Sequence, residues 1–327
     1  MAHLADSAGG ARCSEDGRLR MNVHTLTVAL PGGSVEMPYL DAVGDRPGPH
    51  LTVIAGIHGT EYTSIAAARE FAAGLDPVRM AGQITVVPVV NVTAFWARSP
   101  FVVPEDGRNL NRSFPGDPHG SVAEILADAV TTTFIKGSDY LLDLHAGDLP
   151  EALEPFALYD ESPVEAQARE LALAYGLGHV VRQSRGERTV GGSTSAIAAD
   201  LGIPAITAES GQNGILDRPS VERHLRGLDN VCRWLGIFDG PPPEPSAPVE
   251  HEGWLWLRTD CAGWWEPAVA VGTDVAAGDL LGTVSDLLGD RVQEIRAPDA
   301  GVPLFITSSP AVGEDGLLMG LALTADH

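Results

Sequence analysis

Short apolar runs alternate with stretches in which apolar residues return every three or four places over roughly the first 240 positions. The runs at 24–30 and 34–40 read as two strands joined through Pro31, Gly32 and Gly33, a hairpin turn. The mostly apolar run 51–56 suits a strand covered on both faces, and helical periodicity follows over about 62–75. The alternation continues with strands at 84–90, 140–145, 179–181 and 205–208, and with helices near 122–135, 165–175, 193–201 and 221–235. Strands alternating with helices predict an α/β fold with a largely parallel sheet and helices on both faces. In such sheets, sites form beyond the carboxyl ends of the strands.

The pattern breaks at PPPEPSAP, residues 241–248, which reads as a stiff linker. Beyond it, residues 249–327 turn to short strand-like runs such as 254–257 and 280–284, with frequent turn signals, and predict a small all-β domain. Residues 1–20 show no such periodicity and are expected to be mobile. Residues 21–240 are left as the catalytic domain.

Composition narrows the partners. Twenty-one basic residues against 44 acidic ones give a net charge of −23, which opposes binding to phosphate backbones and anionic membranes. A small molecule is the expected partner, and a homo-oligomer is allowed. Lys136 is the only lysine, so cationic contacts fall to arginine, whose planar fork suits a carboxylate. The three cysteines, Cys13, Cys232 and Cys261, are too scattered for a disulfide framework or a thiolate zinc site. With no apolar leader and no membrane-length apolar window, a cytoplasmic location is expected.

Three strand ends and one loop carry candidate chemistry. His58 and Glu61 sit in a glycine-flanked loop between a buried strand and a helix, where both side chains can meet above the sheet. Their spacing alone is close to chance, and a capping glutamate beside a polar loop histidine is the plain alternative. A catalytic zinc takes three protein ligands and keeps a position for water, and His145, at the end of strand 140–145, is placed to be the third. Period-two geometry puts Asp143 on the same face as His145. There it either accepts the imidazole N–H or faces solvent. Glu209, after strand 205–208, is a candidate general base, or else a helix cap. The loop GRNLNRSFPG, 107–116, holds two arginines and two asparagines, which suit either a substrate carboxylate or a solvated surface.

Taken in order, H58-x-x-E61, GRNLNRSFPG, LDLH145 and TAE209SG resemble the succinylglutamate desuccinylase/aspartoacylase family, relatives of the zinc carboxypeptidases. The resemblance spans about 50–240 and implies a three-layer α/β/α, zinc-carboxypeptidase-like domain with a mostly parallel or mixed sheet. It further implies one Zn2+ per chain on His58, Glu61 and His145, and Glu209 as base and then acid. Asn111 and Arg112 would clamp a substrate carboxylate, and Arg108 would stand near the oxyanion. Asn109 replaces an aspartate of some relatives, a departure expected to retune the arginines. The C-terminal region resembles the family's β appendage and also the barrel-sandwich lipoyl and biotinyl carriers. Those carriers attach their cofactor to a lysine, and none follows Lys136. Shaping the mouth of the site, or assembly, is the expected role.

The function that follows is zinc-dependent hydrolysis of the amide of a small N-acyl amino acid or related amine by metal-activated water. A carboxypeptidase acting on short peptides uses the same residues, as does an N-acetyl-diaminobutyrate deacetylase of ectoine degradation. A catalytically silent binding protein is the alternative from a different class.

Overall fold

The computed structural model describes residues 5–13, 19–184, 192–242, 244 and 247–324. Of the expected mobile N-terminus, residues 1–4 and 14–18 lie outside the described residues, as do positions 243, 245 and 246 of the expected linker. The segment Ala5–Cys13, expected to be mobile, forms a strand instead.

In chain order the first half contains β1 (Ala5–Cys13), β2 (Leu19–Leu30), β3 (Gly33–Val43), β4 (Arg46–Ala55), α1 (Tyr62–Gly74), β5 (Ala81–Val87), α2 (Val92–Ala97), α3 (Val122–Val130) and β6 (Tyr140–His145). There follow β7 (Glu151–Leu153), β8 (Phe156–Asp160), α4 (Glu165–Tyr175), β9 (His179–Gln183), α5 (Thr194–Asp200), β10 (Ala205–Glu209) and α6 (Arg218–Trp234). The C-terminal strands are β11 (Val249–Arg258), β12 (Gly263–Pro267), β13 (Leu280–Ser285), β14 (Arg291–Arg296), β15 (Gly301–Thr307), β16 (Ala311–Val312) and β17 (Leu317–Thr324).

Local chemistry explains several boundaries. A capping box starts α3, with the Glu124 backbone N–H donating to Ser121 Oγ and Glu124 Oε2 accepting from the Ser121 N–H at 2.7 Å. Asp217 caps α6, ahead of a proline in its first turn. Helix α4 stops at Gly176, whose φ of +87° is left-handed. The hairpin between β2 and β3 turns through Pro31 and Gly32.

The central strands β5, β4, β6 and β10 are parallel to their neighbours in that order, and antiparallel β3 and β8 flank them. The sheet is therefore mixed. Side chains alternate across it: Val53 and Leu142 pack beneath α1, α4 and α6, while Ile54 and Leu141 pack against α3 and α5 on the other face. Three layers result. Among the described residues no helix is long and apolar enough to cross a membrane.

The C-terminal region divides in two. Strands β12, β13, β14 and β16 make a separate antiparallel sheet of four strands around Trp265, Leu281 and Val284. Strand β11, by contrast, pairs in parallel with β9, and β17, β15 and β7 follow it, extending the large sheet to 13 strands. The all-β C-terminal region thus keeps a sheet and core of its own while β11 ties it to the large sheet. The open edge of β9 needs a partner, and β11 supplies it.

Candidate active site

Strand β4 ends at Ala55, and the chain leaves it through Gly56, whose φ is +66°. A side chain on Gly59 would collide with the backbone of Ala94, so only glycine lets this loop lie against α2. The turn brings His58 and Glu61 to the end of β6. Glu61 occupies the N-cap position of α1 but its side chain makes no cap hydrogen bond. Its Oε1 lies 2.6 Å from His58 Nδ1, and its Oε2 lies 3.0 Å from His145 Nδ1 and accepts from the Ala146 N–H at 3.2 Å. The capping alternative is thereby set aside.

Both imidazoles are held from behind. His145 Nε2 lies 2.9 Å from Asp143 Oδ2, and Asp143 also accepts from the Thr194 hydroxyl. His58 Nε2 lies 3.1 Å from Asn109 Oδ1. Both Nε2 atoms therefore act as N–H donors, which turns both Nδ1 atoms toward the Glu61 carboxylate. Burial disfavours charge on the histidines, yet Glu61 raises the pKa of His58, and Asp143 with Glu61 raises that of His145 further. Burial likewise works against ionised Glu61, but the two histidines hold its pKa down at about 2.

His58, Glu61 and His145 offer ligand atoms within 4.8 Å of one another. Two imidazole nitrogens and a carboxylate oxygen are the donor set of a catalytic zinc site, and each histidine has the outer hydrogen-bond partner that ligating histidines have. Glu209 Oε2, which is buried, has no hydrogen-bond partner. These residues fit a zinc ion.

Glu209 is the last residue of β10 and stands directly opposite His145 in the parallel pairing of β10 with β6. Burial, reinforced by Glu61, Glu151 and Asp143, pushes its pKa well up against the pull of His145. Asn111 and Arg112 follow in a short 3-10 turn. Asn111 Oδ1 accepts from the Thr194 N–H at 3.2 Å, Arg112 donates to the Asn111 carbonyl at 2.7 Å, and both line the cavity.

Arg108 is not brought to the site. Its side chain is 57% exposed, lies 3.4 Å from Glu124 of α3 and is absent from the cavity wall. A bridge between Val102 and Asn109 fixes the local alternation, so Asn109 turns inward to His58 while Arg108 turns out. The expected oxyanion role of Arg108 is corrected on that ground. The departure at Asn109 bears on His58 rather than on the arginines.

The cavity is about 560 Å³. From β6 onward, each strand of the large sheet contributes to its wall: β10, β8, β9, β11, β17, β15 and β7. Since β7 begins six residues after His145 in the chain, the sheet curls back around the site. Period-two alternation aims Trp254 and Trp256 of β11 inward, with Phe305 and Thr307 of β15 and Glu151 and Leu153 of β7, and Arg258 joins the wall beyond a shift of register. The C-terminal strands therefore form part of the cavity itself. Sequence reasoning passed over these residues, although the alternation W-L-W-L-R at 254–258 carried the signal.

Fold and site define a three-layer α/β protein with a buried histidine–glutamate–histidine cluster able to hold a metal. Residues 47–235 match the succinylglutamate desuccinylase/aspartoacylase catalytic domain. The chain is 31% identical over 279 residues to the Nα-acetyl-L-2,4-diaminobutyric acid deacetylase of Halomonas elongata, covering 83% of this chain and 80% of that protein. Among solved structures, the product-bound ectoine utilization protein EutE (DoeB) from Ruegeria pomeroyi superposes with a TM-score of 0.85 at 25% identity, over 98% of this chain and 99% of that one. A succinylglutamate desuccinylase/aspartoacylase from Rhodobacter sphaeroides shares the fold, with a TM-score of 0.81 at 22% identity over 93% and 96% of the two chains. The chain belongs to the succinylglutamate desuccinylase/aspartoacylase family, a family of deacylases.

Proposed function

We propose that this protein hydrolyses the amide bond of a small N-acylated amino acid, with one zinc ion held by His58, Glu61 and His145. Nα-acetyl-L-2,4-diaminobutyrate, the substrate named for the Halomonas relative, is the substrate proposed for this chain. The observation that carries the reading is the register of Glu209 beside His145, at the edge of a three-residue donor cluster.

Zinc supplies a Lewis acid that lowers the pKa of water and polarises the acyl carbonyl. The protein's own residues do the rest. Glu209 accepts the proton of the attacking water and returns it to the departing amine, a task suited to a carboxylate whose burial raises its pKa. Arg112, with Asn111 beside it, binds the substrate α-carboxylate. Asp143 and Asn109 keep the two imidazoles in orientation and tautomer. The aromatic wall from β11 and β15 bounds a cavity of a size that suits a small molecule.

The test is release of free amine from a panel of Nα-acyl amino acids and dipeptides, assayed with and without a chelator. Chelator-sensitive turnover of acyl amino acids in preference to dipeptides supports the reading. Turnover of dipeptides alone would replace it with a carboxypeptidase.

A further inference from the structure

The cavity contains a carboxylate that the deacylation chemistry does not use. Glu151 opens β7, and its pairing opposite Thr307 of β15 directs it to the same face as Leu153 and Phe305, into the cavity. One carboxylate oxygen, Oε2, accepts the Asp148 N–H at 3.1 Å. Among the described residues no arginine, lysine or histidine forms an ion pair with it. Arg112 in the same wall attracts it without closing an ion pair, and a buried acid without a paired charge is costly unless a ligand brings one. Nearby Asp148 differs: its oxygens are taken by the Thr60 hydroxyl and by the N–H groups of Leu149 and Phe101. Asp148 is a structural acid, whereas Glu151 faces the space a substrate would fill.

The surroundings suit a cation. Phe305 stands on β15, the neighbour of β7, and Trp256 of β11 stands beyond it with ring centroids 5.4 Å apart, while Trp254 lies 5.5 Å from Trp256. All three line the same cavity as Glu151, and aromatic faces attract ammonium groups. Two cationic side chains also line the cavity, Arg112, which donates to the Asn111 carbonyl, and Arg258, which donates to the Asp315 carbonyl. A ligand that carries both a carboxylate and an ammonium matches a wall that holds both signs of charge.

We infer that Glu151 is a specificity-determining residue that binds a cationic group on the side chain of the substrate's amino acid half, beside the aromatic wall of Trp256 and Phe305. This rests on the deacylase reading above and deepens it. Burial and the neighbouring Glu61 raise the Glu151 pKa to about 7, as expected of an acid whose counter-charge arrives with its ligand.

The experiment compares wild type with Glu151→Gln, which keeps an oxygen acceptor for the Asp148 N–H and removes only the charge. Substrates are Nα-acetyl-L-2,4-diaminobutyrate and its uncharged isostere Nα-acetyl-L-norvaline. A charge-assisted contact of this kind supports a preference of about ten- to hundredfold. The expected result is that wild type favours the cationic substrate by that factor in kcat/KM, and that the variant loses the preference mainly through a raised KM for the diaminobutyrate compound. Equal loss on both substrates would mean that Glu151 merely holds the loop together, and an unchanged preference would mean it does not meet the substrate; either overturns the inference. Calorimetry with free L-2,4-diaminobutyrate and L-norvaline separates the two proposals. A charge-dependent affinity that Glu151→Gln abolishes upholds the inference even if no amide is cleaved, in which case only the deacylase reading falls. Equal affinity for both amino acids in the wild type overturns the inference whatever the turnover.

Discussion

His145 and Glu209 are direct partners across the parallel pairing of β6 and β10, so one ladder of backbone hydrogen bonds sets a candidate metal ligand beside a candidate base. Neither depends on a loop for its position. Glu209→Gln is isosteric and leaves His58, Glu61 and His145 untouched. It should retain metal while kcat falls by about 10²- to 10⁴-fold, measured as amine release and metal content on the same sample. Undiminished turnover would remove Glu209 from the base role.

Asp143 is fully buried and holds His145 Nε2 at 2.9 Å. Replacing it with asparagine removes the charge that orients and sustains that imidazole. Asp143→Asn should weaken zinc about 10- to 100-fold in a competition titration against a chromogenic chelator, with the fold intact by circular dichroism. Unaltered affinity would make the contact incidental.

Much of this was legible along the chain. Strand β6 and helix α4 fall where the apolar pattern put them, because each has one unambiguous period and clear ends. Asp143 was placed beside His145 by strand alternation alone. Arg108 was not legible, since the loop passes Gly107 at φ +68° and then enters a bridge, and side-chain direction after such a turn has no sequence period. The pairing of β11 with β9 joins residues some 70 positions apart. A strand's pattern shows that it needs neighbours without saying which ones. For the same reason Glu151 and the aromatic wall went unassigned: they reach the site only because the sheet curls.

Gly320 of β17 lies under that wall. A Cβ there would overlap the Trp254 ring and stand 2.5 Å from Phe305 Cδ1. Gly320→Ala should lower stability by about 1–3 kcal/mol, the usual cost of overpacking, in a denaturant titration, and raise KM more than it lowers kcat. A neutral outcome in both would show that the wall can shift freely.

The seam between β9 and β11 is sensitive to acid. His179 Nδ1 lies 3.0 Å from His251 Nε2, and His251 Nδ1 lies 3.2 Å from the Leu323 carbonyl, a network that works with both rings neutral. Burial lowers both pKa values, for His179 against Glu154 and Asp274, and for His251 with repulsion from His179 added. At these two rings the folded protein thus binds fewer protons than the unfolded chain just below the ordinary histidine range. This contribution is fully present above pH ~6.5 and is lost as the pH falls below it. As the pH falls from 7.5 to about 5, the melting temperature of His251→Gln should rise relative to that of the wild type, because the variant lacks this contribution. An identical slope would place the acid sensitivity elsewhere.

The central claim is that the His58–Glu61–His145 cluster holds the zinc on which amide hydrolysis depends. Its most direct measurement is zinc content and Nα-acetyl-L-2,4-diaminobutyrate hydrolysis on one preparation before chelation, after it, and after zinc is restored. The account predicts one zinc per chain, loss of both metal and turnover on chelation, and recovery of both together, with His145→Ala failing to recover either. Hydrolysis that persists at full rate in the metal-free protein would contradict it.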